Sequence, residues 1–560
     1  MRTRTGLWTV WAVALLAAGC SGGGGGGGSG GGVVDPPDPP DPPPAGGADG
    51  TVSGQITFDR VPHNMLTGGL DYAATTAAPV RGAVVEAIDA AGGSTVLAST
   101  ETDANGNYSL DVPAETDVFV RVKAQALSLG SPAWNFMVVD NTGNDALYVL
   151  DGSAFDTGTE GVVRNLHAPS GWGGTSYTGP RAAAPFSILD AVYESFQLVL
   201  GAEPGAQFPP LEINWSPDNR PVSPFDPESG DIVTSSYVML NGVGEIYLLG
   251  AADNDTDEYD RHVIAHEWGH YYENEFSRAD SIGGPHGIGD YLDMRVAFGE
   301  GWGNAFSAMS LDDSVYRDAL GNRQATGFSF DVENNDPAGN NKGWYSEFSV
   351  QAILYDLFDA DNEGMDSLTL GFAPIHDVLT AAQRTSDMLT SIFSFIPPLK
   401  DANPSLAANI DALVMGQEID SVGMDELGSS ETNDAGNPDI LPVYQPIAIG
   451  AGSVNVCSLG GNENPPQDYG SINKLGNARF LHFTANAAGF YTFGAAGEPD
   501  TDPDLVLHQM GIIAVSDSAA GGLESFSRQL AAGDYVLEVY EFRNITDDPR
   551  GETCFDVSIN

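Results

Sequence analysis

The stretch HVIAHEWGHYYENEF, residues 262–276, carries the pattern that decides the fold: two histidines four residues apart around a glutamate. On an α-helix this spacing is about one turn, so we expect His266 and His270 to share a face and reach one metal ion. Glu267 is displaced by about 100° around the helix and would lie beside a metal-bound water as a general base. Neutral imidazole nitrogens at this spacing suit Zn²⁺.

A catalytic zinc site also needs a third protein ligand and an open position for water. Glu300, in RVAFGEGWGNAF (295–306), is the best candidate, because an unpaired carboxylate would be costly in such an apolar helical run. Glu273 and Glu275 share the histidine helix and are expected to point away from the metal. Position 276 is Phe, so the pattern with a third His six residues after the second is absent. Binding to a metal ion would explain why a carboxylate, Glu300, occurs in this apolar run.

The two motifs together, HEWGH and FGEGWGNAF, are similar to those of the gluzincin metallopeptidases, and among these to the fungalysin group. Like thermolysin, that group binds zinc with two His and one Glu. The resemblance implies His266, His270 and Glu300 as zinc ligands and Glu267 as general base. It also implies an α+β thermolysin-like core.

Two positions depart from the family pattern. The family has Asp four residues beyond its Glu ligand, where this chain has Asn304. Such a residue accepts a hydrogen bond from a ligand His and fixes its tautomer; Asn can still accept, but it makes the His less basic. The family also has a transition-state-stabilising His before the helix that resembles SEFSVQAILYDLFD (346–359), and this chain has none there. Tyr345 could supply a hydroxyl to the oxyanion instead.

Other histidines near the motifs have structural interpretations. His262 lies one turn before His266, and a third ligand so placed would overreach a single metal, so we expect a surface residue. His376 belongs to no motif, and we expect a structural role. The Gly-rich segment SIGGPHGIGDYLD (281–293) could line or cover the cleft.

An acidic run, DNDTDEYD, precedes the histidine helix at residues 253–260. Its carboxylates could hold Ca²⁺, which takes oxygen ligands at such spacings. The alternative is a solvated loop that favours the start of the next helix. The four candidate calcium ligands are Asp253, Asp255, Asp257 and Asp260.

The amino-terminal residues predict export and tethering. MRTRTGLWTVWAVALLAAGC (1–20) has a basic start and a short apolar run, as in a signal peptide over residues 1–19. Its end is similar to the lipobox of bacterial lipoproteins, which implies acylation of Cys20; an ordinary secreted protein with a spare Cys is the alternative. Ser21 implies sorting to the outer membrane, facing the periplasm or the cell surface. Residues 20–50 are rich in Gly and Pro and form a tether.

The remaining segments predict two β-sandwiches around the α+β core, which spans residues 129–430. Residues 51–128 are similar to carboxypeptidase regulatory-like domains, and residues 444–560 to bacterial pre-peptidase C-terminal domains. A turn-rich linker, residues 431–443, precedes the second sandwich.

Cys457 and Cys554 both lie in that second sandwich. In an exported protein they could form a disulfide, which the resemblance places between the first and last strands. Two free buried thiols are the alternative.

The composition excludes nucleic acid as a partner, because a net charge of −55 would be repelled by phosphates. A hydrophobic content of 42% is ample for packed cores, so the acidity belongs to the surface. We expect a membrane-tethered, zinc-dependent endopeptidase that hydrolyses extracellular or periplasmic proteins. The alternative is a catalytically degenerate peptidase fold that serves as a surface binding or adhesion lipoprotein.

Overall fold

A computed structural model describes residues 49–92, 94–287, 289–334, 341–360, 368–460, 472–518, 521–546 and 549–560. The predicted signal peptide, Cys20 and the tether up to residue 48 lie outside these ranges. None of the described helices combines the length and the apolar character needed to cross a membrane.

The helices lie in the middle of the chain, and a π-helical segment, Val378–Gln383, continues α5. The α-helices of the described residues are α1 (Ala184–Ala202), α2 (Arg261–Phe276), α3 (Met294–Leu311), α4 (Glu347–Phe358), α5 (Phe372–Asp377), α6 (Ile392–Ala402) and α7 (Ala407–Gly416).

Strands occupy the region before α1 and recur between the helices. They are β1 (Asp49–Arg60), β2 (Thr76–Pro79), β3 (Ala83–Asp89), β4 (Val96–Glu101), β5 (Asn107–Pro113), β6 (Asp117–Leu129), β7 (Ala133–Asp140), β8 (Ala146–Leu147), β9 (Val149–Asp151), β10 (Phe155–Asp156), β11 (Val162–Val163), β12 (Leu166–Ala168), β13 (Leu211–Trp215), β14 (Ser236–Leu240), β15 (Val243–Leu248), β16 (Val315–Leu320) and β17 (Thr326–Asp331).

One ten-stranded sheet joins the amino-terminal strands to the helical region. Its main path runs β14-β15-β13-β7-β6-β3-β4. β7 pairs antiparallel with β6 on one side and parallel with β13 on the other, so the sheet continues across residue 128. The domain boundary that the sequence predicts after residue 128 therefore does not coincide with a break in this sheet. A second sheet, built around β1, covers the same hydrophobic core.

The carboxy-terminal strands form two facing sheets with a core of their own, ordered β18-β20-β25-β22-β23 and β19-β26-β21-β24. A disulfide between Cys457 and Cys554 links β19 to β26. The strands are β18 (Tyr444–Pro446), β19 (Val454–Ser458), β20 (Arg479–Ala485), β21 (Gly489–Ala496), β22 (Pro503–His508), β23 (Ile512–Ser516), β24 (Leu523–Leu530), β25 (Gly533–Glu541) and β26 (Thr553–Ile559). The chain is thus multidomain, with sheets predominating.

The centre of the molecule is the packing of α3 against α2 and α4. α2 is buried along most of its length although it carries several polar side chains. Because buried polar groups are costly without partners, the polar residues of α2 must find partners within the protein.

Candidate metal centre

Glycines of α3 allow close approach to both neighbouring helices. A Cβ added to Gly303 would lie 2.8 Å from the His266 ring, and one added to Gly301 would lie 2.6 Å from Val350 on α4. Real Cβ atoms do not approach other heavy atoms this closely, so any larger residue would push a helix or a ring away. The glycine spacing around Glu300 thus brings this carboxylate up to α2.

Three side chains from α2 and α3 converge on one point. Nε2 of His266 lies 3.3 Å from Oε2 of Glu300, and Nε2 of His270 lies 3.5 Å from the same oxygen. The two imidazole nitrogens are 3.0 Å apart, and each side chain is at most 4% exposed. Tetrahedral zinc, with bonds of about 2.0–2.2 Å, places ligand atoms about 3.3–3.6 Å apart. The two distances to Glu300 fall within this range and the distance between the imidazole nitrogens is shorter, so the donor set fits Zn²⁺ with a small separation of the two rings.

His266 is oriented by a chain of two amides. Asn304 Oδ1 lies 2.9 Å from Nδ1 of His266, and Asn304 Nδ2 donates to Gln351 Oε1 at 2.9 Å. Because Asn304 offers an acceptor, Nδ1 carries the proton and Nε2 keeps its lone pair for a metal.

Glu267 is fully buried beside this group. Its Oε2 accepts a hydrogen bond from the backbone N–H of Tyr237 at 2.7 Å. Its Oε1 has no hydrogen-bond partner among the described residues. Tyr237 lies on β14, which ends the ten-stranded sheet, so the carboxylate sits between the histidine helix and a sheet edge.

The structure also brings in a histidine that the sequence did not single out. His286, on the Gly-rich segment 281–293, places Nε2 3.4 Å from Glu300 Oε2 and 3.5 Å from Glu347 Oε2. Its Nδ1 lies 3.1 Å from the carbonyl oxygen of Gly284. No motif spacing marks His286 or Glu347; the only available signal was a His inside a Gly-rich segment expected near the cleft.

The electrostatics of these groups are dominated by burial and by carboxylate–imidazole contacts. Burial raises the pKa of Glu347 to about 7 and that of Glu273 to about 8. Burial would also raise the pKa of Glu300, but His286 and His270 hold it below its usual range. Burial opposes a charged His270, yet Glu300 raises the pKa of His270 to about 9. Because a raised carboxyl pKa favours the neutral form, burial reduces the negative charge at Glu347 and Glu273, and a bound cation would favour their ionised forms instead.

Tyr345 does not converge on this group. Its hydroxyl lies 3.0 Å from the carbonyl oxygen of Lys342 and 3.1 Å from Oδ1 of Asn433, both of which are acceptors. Its ring stacks on Tyr291, with centroids 5.2 Å apart. These contacts hold a buried loop together, and they leave the hydroxyl engaged away from the three converging side chains.

The two remaining histidines named above lie elsewhere. His262 is buried, with Nε2 3.0 Å from the carbonyl oxygen of Asp313, so the expectation of a surface residue is wrong. The loop that follows α3 covers it. His376 is also buried, and its Nδ1 lies 2.7 Å from the Tyr272 hydroxyl, a structural contact at the far end of α2.

The acidic run before α2 divides into two parts. Asp253 is exposed, and its Oδ1 accepts a hydrogen bond from the backbone N–H of Arg323 at 2.7 Å. Asp260 is buried and accepts from the backbone N–H of Ala319 at 2.8 Å. Neither belongs to a group with metal-ligand spacing among the residues that the structure describes.

The other two aspartates of the run meet a third from β16. Oxygens of Asp255, Asp257 and Asp318 all lie within 4.8 Å of one another. Asp318 is 5% exposed, and Oδ1 of both Asp318 and Asp255 lacks a hydrogen-bond partner among the described residues. Burial and mutual repulsion raise the pKa of all three carboxyls. Sequence spacing alone could not find Asp318, which lies about 60 residues away.

One protein family matches part of this region. Residues 208–409 match the Mycolysin C-terminal domain, and this match supports a peptidase-associated architecture. The matched range contains the three converging side chains and Glu267. No curated protein matches the chain.

Solved structures resemble only short parts of the chain. The pre-peptidase C-terminal domain of a Bacillus anthracis collagenase is 17% identical over 21% of this chain and 94% of that one, with a TM-score of 0.16. PliG of Aeromonas hydrophila, a periplasmic inhibitor of g-type lysozyme, is 18% identical over 21% and 96%, with a TM-score of 0.15. The surface-associated copper-binding protein CorA of Methylomicrobium album BG8 is 8% identical over the same shares, with a TM-score of 0.16. None of these likenesses bears on the function of this chain.

Proposed function

We propose that this protein is a zinc-dependent endopeptidase with a gluzincin, thermolysin-like core. One observation carries the proposal: the ligand atoms of His266, His270 and Glu300 lie within 4.8 Å of one another, and Glu267 follows His266 on the same helix, α2. Two imidazoles and one carboxylate leave a fourth position open on tetrahedral zinc, as catalytic sites do.

His266, His270 and Glu300 would hold the zinc ion, which would supply Lewis-acid chemistry for attack of water on the scissile carbonyl. Glu267 then accepts the proton of the attacking water through Oε1, which no other group occupies among the described residues. The same carboxyl passes that proton to the leaving amine when the C–N bond breaks. The hydrogen bond from Tyr237 holds the carboxylate in place during both transfers.

β14 is the element that would hold the substrate. It pairs with β15 on one side and ends the sheet on the other, so an extended peptide could add to it as a further strand. Tyr237 pairs with Ile246 in β15 while its N–H donates to Glu267. A peptide along this edge would pass beside the general base, which suits cleavage within a protein chain.

The test is to measure zinc and casein cleavage with purified residues 49–560. We expect about one zinc per chain and cleavage that a chelator abolishes and added zinc restores. His270→Ala and Glu300→Ala should lose the zinc, whereas Glu275→Ala, on the same helix, should keep it. Loss of zinc in the control alone, or unchanged zinc in both ligand variants, would contradict the ligand assignment.

A degenerate peptidase fold that acts as a surface binding or adhesion lipoprotein is the second candidate. The observation that favours it is the engagement of the Tyr345 hydroxyl away from the site, together with the amide of Asn304 where the family has a carboxylate. It predicts bound zinc without cleavage of casein.

We also propose that Cys20 is acylated and anchors the protein in the outer membrane, facing the periplasm or the cell surface. The lipobox-like end of the signal sequence supports this. Incorporation of labelled palmitate by the full-length protein, lost in Cys20→Ala, tests it; equal labelling of both would refute it.

A second cation site is proposed at Asp255, Asp257 and Asp318, with Ca²⁺ as the ion. Calcium takes carboxylate oxygens in flexible geometry. The two unpartnered buried oxygens are costly unless a cation or a proton compensates them. Thermal unfolding measured during a calcium titration tests the site.

A further inference from the structure

The proposed zinc ligands are closed off from solvent. The side chains of His266 and His270 are each 4% exposed, and Glu300 and Glu267 are fully buried. The general base must lie within hydrogen-bond reach of the water that attacks the substrate, so the peptide itself has to reach this group. Because the group presents almost no surface to solvent, an element of the protein must move before a peptide can enter.

The segment between α2 and α3 is the element best suited to move. The other groups beside the ligands lie on α2, α3 and α4 and on strands β14 and β16, whose backbones are held by regular hydrogen bonds. The described residues of the segment, 281–287 and 289–293, form neither a helix nor an extended strand. Local opening draws on parts of a fold that lack such regular bonding. These residues are referred to below as the lid.

Glycines lie on both sides of the part of the lid that covers the site. His286 places Nε2 3.4 Å from Glu300 Oε2, and its side chain is 5% exposed. Gly283 and Gly284 precede it with φ angles of 57° and 102°, and Gly289 follows it with a φ of 89°. Glycine adopts such angles readily and passes between backbone conformations without the steric cost of a side chain. The lid therefore has backbone positions on either side of His286 that can rotate.

Residues 473–475, in the carboxy-terminal sandwich region, hold the lid closed and are referred to below as the latch. Nζ of Lys474 donates to the carbonyl oxygen of Pro285 at 2.7 Å and to Asp290 Oδ2 at 2.8 Å. Asn473 Nδ2 donates to the same carbonyl oxygen at 3.1 Å. The Lys474 side chain is 1% exposed. Because a buried ammonium group is costly without partners, these bonds favour the closed position of the lid.

The latch also bonds to the backbone at the end of the lid. The N–H of Leu475 donates to the carbonyl oxygen of Tyr291 at 2.9 Å. The N–H of Asp293 donates to the carbonyl oxygen of Asn473 at 2.8 Å. These bonds fix the lid where it joins α3, whereas the ammonium group reaches Pro285, beside the side chain that covers the site. The latch thus acts on the covering part of the lid chiefly through one ammonium group and one side-chain amide.

We propose that residues 281–287 and 289–293 form an autoinhibitory lid, which closes the metal centre and which Lys474 holds shut from the carboxy-terminal sandwich. The inference rests on the proposed function, since it concerns access to the same site. While the lid is closed, a peptide along β14 cannot bring its scissile bond to the metal centre. Release of Lys474 shifts the equilibrium towards an open form that admits the peptide. The sandwich then regulates access to the site.

The experiment compares Lys474→Met with Lys400→Met in residues 49–560. Lys400 is the matched control, because its ammonium group likewise donates to one carboxylate, that of Asp411, and to one carbonyl oxygen, that of Ser421, between α6 and the segment after α7. We measure amide hydrogen exchange in the lid, the rate at which a chelator removes zinc, and kcat/KM for casein. Lys474→Met should raise all three about tenfold or more, as for loss of hydrogen bonds from a charged group. Lys400→Met should change none of them.

A second variant acts on the lid without changing the latch. Gly284→Ala places a side chain at a φ of 102°, which L-residues rarely adopt. It should disfavour the closed form and raise lid exchange and zinc removal about fivefold or more. Gly174 has a φ of 99° and open space around an added Cβ, so Gly174→Ala imposes a similar strain elsewhere and should leave the lid unchanged. This pair of variants tests the lid even if Lys474→Met does not fold.

Each remaining outcome decides the inference. Equal lid exchange and equal zinc removal in Lys474→Met and Lys400→Met would overturn the latch, because other contacts would then hold the lid. Faster exchange without faster cleavage by an active enzyme would overturn the autoinhibitory role, because opening would then bring no gain in access.

Failure of the proposed function is distinguishable from failure of the lid. If the wild type and Lys474→Met both bind zinc and neither cleaves casein, the protein is not an endopeptidase of this kind. The rate of zinc removal then decides whether the lid controls access to the metal centre. A faster rate in Lys474→Met supports the lid, and a rate equal to that of Lys400→Met overturns it.

Discussion

Asn304 Oδ1 lies 2.9 Å from Nδ1 of His266, so a neutral amide orients one of the two imidazoles of α2 that face Glu300. The amide is itself fixed by Gln351 on α4. Three consecutive helices of the core thus contribute to the placement of one ring nitrogen.

Removing this support should weaken zinc binding. In Asn304→Ala, His266 loses the acceptor that fixes its tautomer, and we expect zinc affinity to fall about 10- to 100-fold. Asn304→Asp should bind zinc at least as well as wild type, because a carboxylate makes the ligand more basic. Competition with a chromogenic chelator measures both. Equal affinity in Asn304→Ala and wild type would refute the role.

Gly303 should tolerate no side chain, because its added Cβ would lie 2.8 Å from the His266 ring. Gly303→Ala should lower zinc content and destabilise the fold by about 1–3 kcal/mol through overpacking. Gly201, in the last turn of α1, has open space around an added Cβ, so Gly201→Ala is the matched control and should unfold at the wild-type temperature or slightly higher. Equal unfolding temperatures for the two variants would contradict the close packing of α2 and α3.

The cluster of Asp255, Asp257 and Asp318 should make stability depend on both pH and calcium. Since burial raises the pKa of these carboxyls in the folded protein, their contribution is full below the ordinary Asp value of about 4. It is lost as pH rises through the raised values. We therefore expect the unfolding temperature, measured by calorimetry with zinc present and calcium removed, to fall from pH 5 to pH 8.

Added Ca²⁺ should reverse that fall. At 100 times its dissociation constant, the ion would stabilise the fold by about 2.7 kcal/mol. Asp318→Asn should reduce both the pH dependence and the calcium effect, whereas Asp253→Asn, at the exposed end of the same run, should change neither. A calcium effect that survives in Asp318→Asn would place the site elsewhere.

The buried pair of Arg295 and Glu538 should be essential for joining the carboxy-terminal sandwich to α3. Arg295→Met removes the guanidinium from buried Glu538, which keeps only the contact with His508 Nε2 at 2.8 Å, and removing one partner of a buried ion pair typically costs about 3–5 kcal/mol. Burial would raise the pKa of Glu538, but Arg295, together with His508, lowers it to about 2. This contribution is present above the ordinary Glu value of about 4 and is lost as pH falls towards 2.

Chemical unfolding at pH 7 and pH 3 measures this contribution. Arg121→Met, which removes a half-exposed pair with Asp151, should change stability little. If Arg295→Met is no less stable than Arg121→Met at pH 7, the carboxy-terminal sandwich and α3 are not coupled through Arg295 and Glu538.

The histidine helix and its Glu partner can be predicted from the sequence. The first follows from local helix spacing, and the second follows from a carboxylate among apolar neighbours. His266 and His270 share a face by helix geometry, and a carboxylate among Val296, Phe298 and Trp302 demands a partner. Glu300 could therefore be proposed from residue pattern alone.

Other parts of the site depend on contacts between distant segments, which no local pattern records. Lys474 lies nearly 190 residues from His286, and only the packing of the sandwich against segment 281–293 brings them together. Asp318 joins the acidic run in the same way, through the position of β16. The position of Tyr345 just before α4 suggests an oxyanion donor, but in the structure its hydroxyl lies 3.1 Å from Oδ1 of Asn433.

For a related reason, the sequence does not predict that the ten-stranded sheet continues past residue 128. β6 alternates buried and less buried residues up to Leu129, a pattern that a sandwich strand and a strand of a mixed sheet share. Only the parallel pairing of β7 with β13 shows which of the two it is.

The most direct test of the central claim is casein cleavage by Glu267→Gln in zinc-loaded residues 49–560. The amide introduced by this substitution cannot accept the proton of the attacking water, so kcat should fall about 10²- to 10⁴-fold while zinc stays at about one per chain. Glu275→Gln, on the same helix, should cleave like wild type. If Glu267→Gln keeps its zinc and cleaves casein at the wild-type rate, Glu267 is not the general base and the account of the site is wrong.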